Sequence, residues 1–319
     1  MGTLSKFSSV PLADISDFNG VAKGSIAEVN AQSLAAAPTI ITTNLVQHLD
    51  AGDSSSYSGS GTTWFDLTSS NVDGTFRGAP TYSSTDGGGS FSFDGVDDAI
   101  KFDYDDAAPI RIGEDSGEVN AIGGSGISRT YGDLSSDGGF TIQVWAKQAS
   151  GQVNMFWCNN TSVTTSEATN PRYKYYQGLE FLVNGNGHLI LFVFDGNGGN
   201  APADRRWRRS SSGQVTGNTW ELYTAVLYGD TVTQIQNDSK IYVNGSEVSG
   251  YDAASGSGAG LGYRAKQANS QGSKYHAGIG MNRGNFRQGH ISQVLVYNDI
   301  LTDAEVLANF NATKARYGY

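Results

Sequence analysis

The chain has 319 residues, a formal net charge of −10 and only 16% charged residues. This acidic balance excludes a protein whose main role is to hold nucleic acid, because neutralising phosphates requires clustered Lys and Arg. The 42 Gly against 6 Pro, with 16 Tyr and 14 Phe, are typical of many strands joined by turns. Composition therefore predicts an all-β fold, in a chain long enough for one large core or two small ones.

Three further features bear on where the protein folds. Cys158 is the single cysteine, so no disulfide can form within the chain. The opening residues MGTLSKFSSV lack the apolar run of a signal peptide. No segment approaches the roughly 20 apolar residues that a membrane span needs. We therefore expect a protein that folds in a reducing cytosol and has no membrane span.

Residues 1–38 are predicted to form an arm with an internal repeat. The segments TLSKFSSV, DISDFNGV and SIAEVNAQ align without a gap at a period of eleven residues. Each unit begins with a capping residue and has two apolar residues at i and i+3, which predicts short helical turns. Units this small cannot build a core, so the arm is either a disordered leader or docks in grooves of a partner protein. The predicted docking residues are Leu4, Phe7, Ile15, Phe18, Ile26 and Val29.

Residues 39–319 are predicted to form a β-sandwich. The segment FTIQVWAK (140–147) is apolar at even positions and mostly polar at odd ones, which indicates a half-buried strand. HLILFVF (188–194) is apolar on both faces and indicates a central strand. Turns at Asn184–Gly187 and at Asn244-Gly245 predict two hairpins. Further strands are predicted at 90–95, 99–104, 153–158, 220–228 and 291–298.

One strong helix signal stands near the end of the chain. Thr302 is a candidate N-cap, and Glu305 completes a capping box before the apolar Val306 and Phe310. Gly318 is placed to end the helical segment.

Several segments together carry a family resemblance over most of residues 43–318. LVQHLDAGDSSSYSGSGTTWFDLTSSNVDGTFRGAP, GGGSFSFDGVDDAIKF, GGFTIQVWAK and KIYVNGSEV follow one another in this order. They resemble the laminin G-like branch of the concanavalin A-like jelly rolls. The resemblance implies a jelly-roll β-sandwich, to which the features above add one short C-terminal helix and an extended N-terminal arm of short helical turns.

The C-terminal segment TDAEVLANFNATKARYG (302–318) is similar to the form found in virion structural proteins of tailed bacteriophages. This resemblance implies a decoration, fibre or appendage component that is made in the host cytoplasm and resides in the virion. Its expected partners are other virion proteins, through the arm, and further copies of itself, with a trimer expected by analogy. The alternative is a receptor-recognition lectin of a phage fibre that binds a cell-surface glycan.

Two segments are longer than the resemblance requires. Residues 105–139 form an insertion, and residues 197–219 form a second predicted loop with a cluster of arginines around a tryptophan. What is particular to this protein is expected to lie in these two loops.

An enzyme of the glucanase type is disfavoured by the carboxylates. Glycosidic hydrolysis needs two acids about 5 to 10 Å apart, which in this fold are expected on one strand as E-x-D-x-E or with one extra residue. Glu180 and Glu221 each stand alone in their predicted strands, and the four histidines have no metal-ligand spacing. We therefore predict a protein without enzymatic activity.

Calcium is the cation that this family resemblance implies, although no cofactor is predicted to be required. Aspartates suit a hard cation that prefers oxygen ligands. The three aspartates of FDGVDD, Asp94, Asp97 and Asp98, could instead satisfy backbone amides of their own turn. The candidate ligands are Asp94, Asp97, Asp98, Asp103, Asp105 and Asp106.

Two aromatic segments are candidate contact surfaces for a glycan or for another protein. Aromatic planes with neighbouring charged groups suit sugars, and arginines suit anionic groups. Alternatively, the tyrosines belong to one face of an edge strand and the arginines balance an acidic chain. The candidate residues are Tyr173, Tyr175 and Tyr176 in the first segment and Arg205, Trp207 and Arg208 in the second.

Overall fold

The predicted strands pair into two large antiparallel sheets in the computed structural model, which confirms the all-β sandwich. The chain divides into two compact units, Met1–Thr39 and Ile40–Tyr319. The structure describes residues 38–103, 139–149, 151–152, 154–162, 177–195, 205–228, 237–251, 275–282, 285–286 and 288–319, together with the short strands at 17–18, 21–22, 121–122 and 261–262.

The strands are numbered in chain order. They are β1 Asp17–Phe18, β2 Val21–Ala22, β3 Leu45–Asp50, β4 Thr63–Trp64, β5 Gly74–Arg77, β6 Thr81–Ser83, β7 Ser90–Asp94, β8 Ala99–Asp103, β9 Ala121–Ile122, β10 Phe140–Gln148 and β11 Asn154–Ser162. The remaining strands are β12 Gln177–Val183, β13 Leu189–Asp195, β14 Arg205–Arg209, β15 Trp220–Leu227, β16 Lys240–Val243, β17 Ser246–Glu247, β18 Leu261–Gly262, β19 Tyr275–Ile279, β20 Met281–Asn282, β21 Asn285–Phe286 and β22 Gln288–Tyr297.

Sheet I and sheet II form the two layers of the sandwich. Sheet I has the order β17-β16-β15-β10-β22-β7-β6, and β3 also pairs with β22. Sheet II has the order β14-β13-β12-β11-β19-β8-β5-β4. The strand β13, which is apolar on both faces, lies between β12 and β14, one place from the edge of sheet II. Three pairs of short strands, β1-β2, β18-β9 and β20-β21, form separate two-stranded sheets.

The main core fills the space between the two sheets. The even residues of β10, Phe140, Ile142, Val144 and Ala146, all belong to it, as their alternation predicts. From sheet II, β8, β12 and β13 contribute alternate apolar residues to the same cluster. Burial of this apolar area is the main driving force for closing the sandwich.

The opposite face of β10 is buried, whereas alternation predicts that it faces water. Thr141, Gln143 and Trp145 have no exposed surface. The C-terminal residues cover this face, and the ring of Tyr317 stacks on Trp145 with centroids 3.8 Å apart. The prediction of a half-buried strand is therefore wrong. A period of two reports side-chain polarity and carries no information about what packs on the polar face.

The predicted C-terminal helix is confirmed. Helix α1 spans Asp303–Thr313 and continues into a 3-10 turn at Lys314–Tyr317. The side chain of Thr302 accepts from the amide of Glu305, and the Glu305 side chain accepts from the amide of Thr302, which forms the capping box. Gly318 has a φ of 90° and ends the segment in the left-handed region. Within the described residues, no helix has the length and apolar character needed to cross a membrane.

A buried polar network joins α1 to sheet I and to the first residues of the sandwich. Asn309 Nδ2 donates to Gln143 Oε1 and to the hydroxyl of Tyr297. The amide of Ile41 donates to Asn309 Oδ1 at 2.7 Å, and the Tyr297 hydroxyl donates to the Ile41 carbonyl at 2.9 Å. Buried polar groups require such partners. The network therefore fixes the main chain at Ile41, just before β3.

Arg316 anchors the C-terminal turn to a glycine-rich segment. Its guanidinium donates to the carbonyls of Gly87 and Gly89 and to the Asp50 carboxylate. Gly89 has a φ of 128°, and a Cβ there would lie 2.5 Å from the carbonyl oxygen of Ala51. Only glycine fits this position, which explains why residue 89 is a glycine.

Both predicted hairpins are present. Asn244 and Gly245 join β16 to β17 with φ values of 53° and 79°, the positive values of a type I′ turn. The loop Asn184–Gly187 joins β12 to β13, where the amide of Asn184 donates to the carbonyl of His188 at 3.0 Å.

The second repeat of the arm differs from its prediction. Asp17 pairs with Ala22, and Phe18 pairs with Val21, in the antiparallel strands β1 and β2. The helical turn predicted for this unit is therefore wrong. Asn19-Gly20 lies between the two strands in the sequence, and this dipeptide favours a two-residue hairpin over the weaker i, i+3 helical signal.

Candidate functional site

Most of the site residues predicted for the arm and the loops lie outside the described residues and stay predictions. Phe18, Asp103, Arg205 and Trp207 lie in strands of which the structure describes the backbone. The predicted residues outside the described part of the chain are Leu4, Phe7, Ile15, Ile26, Val29, Asp105, Asp106, Tyr173, Tyr175 and Tyr176.

Three of the six predicted calcium ligands meet in the turn between β7 and β8. One carboxylate oxygen from each of Asp94, Asp97 and Asp98 lies within 4.8 Å of the other two. Asp94 Oδ1 accepts the amides of Val96 at 2.7 Å and Asp97 at 3.3 Å. Asp98 Oδ1 accepts the amide of Ala79 at 2.8 Å, and Asp98 Oδ2 accepts the amide of Asp94 at 3.0 Å. The aspartates thus hold their own turn and tie it to the segment before β6.

These hydrogen bonds decide how well the turn fits a cation. The amide of Val96 and its neighbours lower the pKa of Asp94, because they stabilise the charged carboxylate. Calcium takes about six to eight oxygen ligands, whereas this turn offers three carboxylates. Asp98 already uses both of its oxygens on backbone amides. The residues fit a carboxylate-stabilised turn better than a closed calcium site.

The arginine-rich segment, predicted as a loop, is the strand β14 at one edge of sheet II. Its register places Arg208 opposite the core residue Leu191 and Arg209 opposite Ile190. The guanidinium carbon of Arg208 lies 3.5 Å from the ring centroid of Tyr251, a cation–π contact. The loop prediction is wrong because a run of arginines has no apolar alternation from which a strand can be read.

Tyr251 connects this edge to sheet I. Its hydroxyl accepts the amide of Ile241 at 2.9 Å and donates to Glu247 Oε1 at 3.0 Å. Burial raises the pKa of Tyr251, and the Glu247 carboxylate adds to this effect, so the phenol stays protonated and keeps donating. Ser210, directly after β14, pairs with Tyr251 in an isolated bridge. Arg208 and Tyr251 therefore close one side of the sandwich.

A polar cluster that sequence reasoning missed lies on the outer face of sheet I. The register aligns Trp220, Lys147 and His290 on β15, β10 and β22. Asp86 Oδ1 accepts Trp220 Nε1 at 3.0 Å. Asp86 Oδ2 accepts Lys147 Nζ at 2.6 Å and lies 3.2 Å from His290 Nδ1. We call these four residues the Asp86 cluster. They are far apart in the sequence, so no local pattern could have indicated it.

The charges of the Asp86 cluster follow from its contacts. Burial opposes ionisation of Asp86, but hydrogen bonds from Lys147 and Trp220 outweigh it and lower the pKa of Asp86. Burial lowers the pKa of His290, and the charge of Lys147 adds to this effect. At neutral pH the cluster is therefore a carboxylate–ammonium pair beside a neutral imidazole, and it fastens the turn before β7 to three strands.

The two isolated glutamates do not form an acid pair. Glu180 and Glu221 are buried on β12 of sheet II and β15 of sheet I. Glu221 Oε2 accepts the hydroxyl of Tyr223 at 2.6 Å and the amide of Thr216 at 2.9 Å. These two carboxylates, both among the described residues, belong to different sheets. They therefore do not reproduce the pair of acids on one strand that a glucanase needs.

Residues 120–307, more than half of the chain, match the model described as the concanavalin A-like lectin/glucanases superfamily. The chain therefore belongs to this superfamily, and its β-sandwich is lectin-like. No protein with a curated description matches the sequence.

Solved structures with similar folds share little sequence with this chain. The receptor binding domain of botulinum neurotoxin C/D mosaic serotype has 10% identity and a TM-score of 0.47, over 85% of this chain and 51% of that chain. The Trypanosoma rangeli sialidase has 14% identity and a TM-score of 0.49, over 93% of this chain and 39% of that chain. The chain thus spans about half or less of the length of these proteins.

Proposed function

We propose that this chain is a structural protein of a virus particle, a decoration, fibre or appendage component that displays a lectin-like sandwich for contact with the host surface. It is made in the host cytoplasm and reaches the virion by attachment of its N-terminal arm to other virion proteins. The observation that carries the proposal is the eleven-residue repeat of residues 3–32, placed before the predicted sandwich in the sequence.

The start of the sandwich supports separate roles for the arm, which attaches, and the sandwich, which is displayed. The main chain of Ile41, four residues before β3, is hydrogen-bonded to the side chains of Asn309 and Tyr297, so the sandwich has its own anchoring contacts at this point. The repeats belong to a separate unit, Met1–Thr39. Each repeat has too few apolar residues to fold alone, because ordering the backbone costs about 1 to 2 kcal/mol per residue. Such units gain stability by lying on a partner protein.

The superfamily match supports a second candidate of a different kind. The superfamily includes lectins. The second candidate is therefore a receptor-recognition lectin of a phage fibre, in which glycan recognition is the selected property. In both candidates the chain acts by binding and associates with further copies, with a trimer as the expected form. The two candidates differ in whether the arm or the glycan contact is indispensable.

Incorporation into particles tests the proposal. We expect electron cryomicroscopy of purified virions to show density for the sandwich, with residues 3–32 ordered against a neighbouring protein. A variant lacking residues 1–38 should keep the melting temperature of the sandwich yet be absent from particles. Virions that contain no copy of the full-length chain would overturn the structural role and leave the free lectin.

A further inference from the structure

Two asparagine–glycine pairs form the turn between β12 and β13. Asn184-Gly185 and Asn186-Gly187 follow each other in this turn, and Asn244-Gly245, a third pair among the described residues, joins β16 to β17. A glycine has no Cβ to hinder attack by its backbone nitrogen on the side-chain amide of the preceding asparagine. Ring closure within one chain is also favoured, because the two groups are already close together. The three pairs share this chemistry, so the contacts around each pair decide how fast it reacts.

The side chain of Asn244 is held at both of its polar atoms. Asn244 Oδ1 accepts the amide of Leu222 at 2.9 Å, and Asn244 Nδ2 donates to the hydroxyl of Tyr319 at 3.2 Å. The glycine of this pair is packed as well, because a Cβ at Gly245 would lie 3.0 Å from Leu307 Cδ1. Turning the Asn244 amide towards the nitrogen of Gly245 therefore breaks two hydrogen bonds beside a packed contact.

The two asparagines of the β12–β13 turn differ in their contacts. Asn184 Oδ1 accepts the amides of Asn186 at 3.0 Å and His188 at 3.1 Å, so the Asn184 side chain holds the turn together. Asn186 is exposed, and among the described residues its side chain makes no hydrogen bond. One backbone bond stands in the way of its reaction, because the amide of Gly187 donates to the carbonyl of Asn184 at 2.9 Å. An exposed turn opens locally at a lower free energy than a packed one.

We infer that Asn186 is a site of spontaneous deamidation, whereas Asn184 and Asn244 are protected by their side-chain hydrogen bonds. The backbone nitrogen of Gly187 forms a bond to Cγ of Asn186, and the bond from Cγ to Nδ2 breaks. The proton of the attacking nitrogen leaves with Nδ2 as ammonia. Water then adds to one of the two carbonyls of the five-membered imide and cleaves its C–N bond, which gives aspartate or isoaspartate. Water is the one co-reactant, and no oxidant or reductant is consumed.

The modification changes both the charge and the main chain of the turn. Either product adds a negative charge to a chain whose net charge is already −10. Isoaspartate also adds a methylene to the main chain between residues 186 and 187, inside the short loop that sets the register of β12 against β13. The product accumulates with the age of the protein. This site is independent of the function proposed above.

Peptide mapping by mass spectrometry tests the assignment on the full-length protein. The folded protein is incubated at mildly alkaline pH in water labelled with oxygen-18, so that the label marks only asparagines converted during the incubation. We expect Asn186 to convert about tenfold or more faster than Asn184 and Asn244, because each side-chain hydrogen bond that must break adds to the barrier. Fragmentation of the peptide separates Asn184 from Asn186. Conversion of Asn186 no faster than that of the other two, or no conversion of Asn186, would overturn the inference.

The unfolded chain is the control for the amino-acid sequence itself. In guanidinium chloride the hydrogen bonds of the turns are lost, and we expect the three asparagines to convert at similar rates. An order of rates that stayed the same in the unfolded chain would show that the neighbouring sequence sets it, and the structural assignment would fail.

A single variant tests the protection of Asn244. Tyr319→Phe removes the hydroxyl that accepts Asn244 Nδ2, so Asn244 should convert several-fold faster in this variant while the rate at Asn186 stays the same. An unchanged rate at Asn244 would overturn the assignment of its protection to the side-chain hydrogen bonds. Equal acceleration at both asparagines would show a general loosening of the fold and would overturn it as well.

Discussion

Tyr317 stacks on Trp145 with ring centroids 3.8 Å apart and 14° between the planes. Trp145 lies on the face of β10 that points away from the main core, and it is fully buried. Trp220, Leu222 and Phe310 join it in a second apolar cluster on that face. The C-terminal segment therefore gives sheet I a core of its own, and the sandwich has apolar layers on both sides of this sheet.

Truncating Tyr317 should destabilise the whole sandwich. We expect Tyr317→Ala to lower the free energy of unfolding by about 2 to 4 kcal/mol, because it removes a large ring from a packed cluster and leaves a cavity. Urea unfolding followed by tryptophan fluorescence measures this loss. Leu307→Ala, on the exposed side of α1, is the matched control and should change stability by less than about 0.5 kcal/mol. Equal effects of the two changes would contradict the second core.

The buried amide of Asn309 should be as important as the aromatic stack. Asn309→Ala removes a hydrogen-bond partner from the amide of Ile41 and from the side chains of Gln143 and Tyr297. We expect a loss of about 2 to 3 kcal/mol, since unsatisfied buried polar groups retain their desolvation penalty. Asn311→Ala on the same helix removes, among the described residues, a hydrogen bond from Lys314 Nζ. If thermal unfolding gave the same melting temperature for both variants, the result would argue against a stabilising role for the network.

The sequence is sufficient for those elements whose signals are local. The capping box at Thr302, the type I′ turn at Asn244-Gly245 and the even face of β10 follow from residues a few positions apart. The burial of Gln143 could not be predicted, because it depends on Asn309, which lies 166 residues away. Long-range packing of this kind leaves no periodic trace in either segment.

The candidate sites, too, could be predicted only where their residues are close together in the sequence. The Asp94–Asp98 turn was found because its aspartates are adjacent, and the structure places it at the hairpin between β7 and β8. The Asp86 cluster was missed because sheet pairing alone brings its members together. Strand β14 was predicted as a loop because its arginines leave no alternation of apolar and polar residues in the sequence. Its pairing with β13 defines it as a strand.

The aspartate turn makes a prediction about calcium. If the carboxylates mainly serve backbone amides, adding calcium or a chelator should leave the melting temperature unchanged. Asp98→Asn should lower stability by about 1 to 3 kcal/mol, because one of its two amide partners loses an acceptor. Asp97→Asn, in the same turn, should have no measurable effect. A melting temperature that rises with calcium in the parent but not in Asp97→Asn would instead establish a metal site.

Two partly buried histidines predict how stability depends on pH. Burial lowers the pKa of both His48 and His290 below the ordinary value of 6.5. The unfolded chain therefore binds protons at a higher pH than the folded protein does. The stability associated with each neutral imidazole is fully present above pH 6.5 and is lost as the pH falls through the lowered folded pKa.

The test compares urea midpoints at pH 7.5 and at pH 5.5 in the parent and in His290→Gln. We expect the parent to lose more stability on acidification than the variant, because only the parent carries the imidazole of the Asp86 cluster. His48→Gln with His290→Gln should flatten the dependence further. Asp86 does not contribute in this window, because its pKa is lowered from 3.8 and its stabilisation is lost only in stronger acid. Equal slopes in the parent and the double variant would show that neither histidine is held neutral by burial.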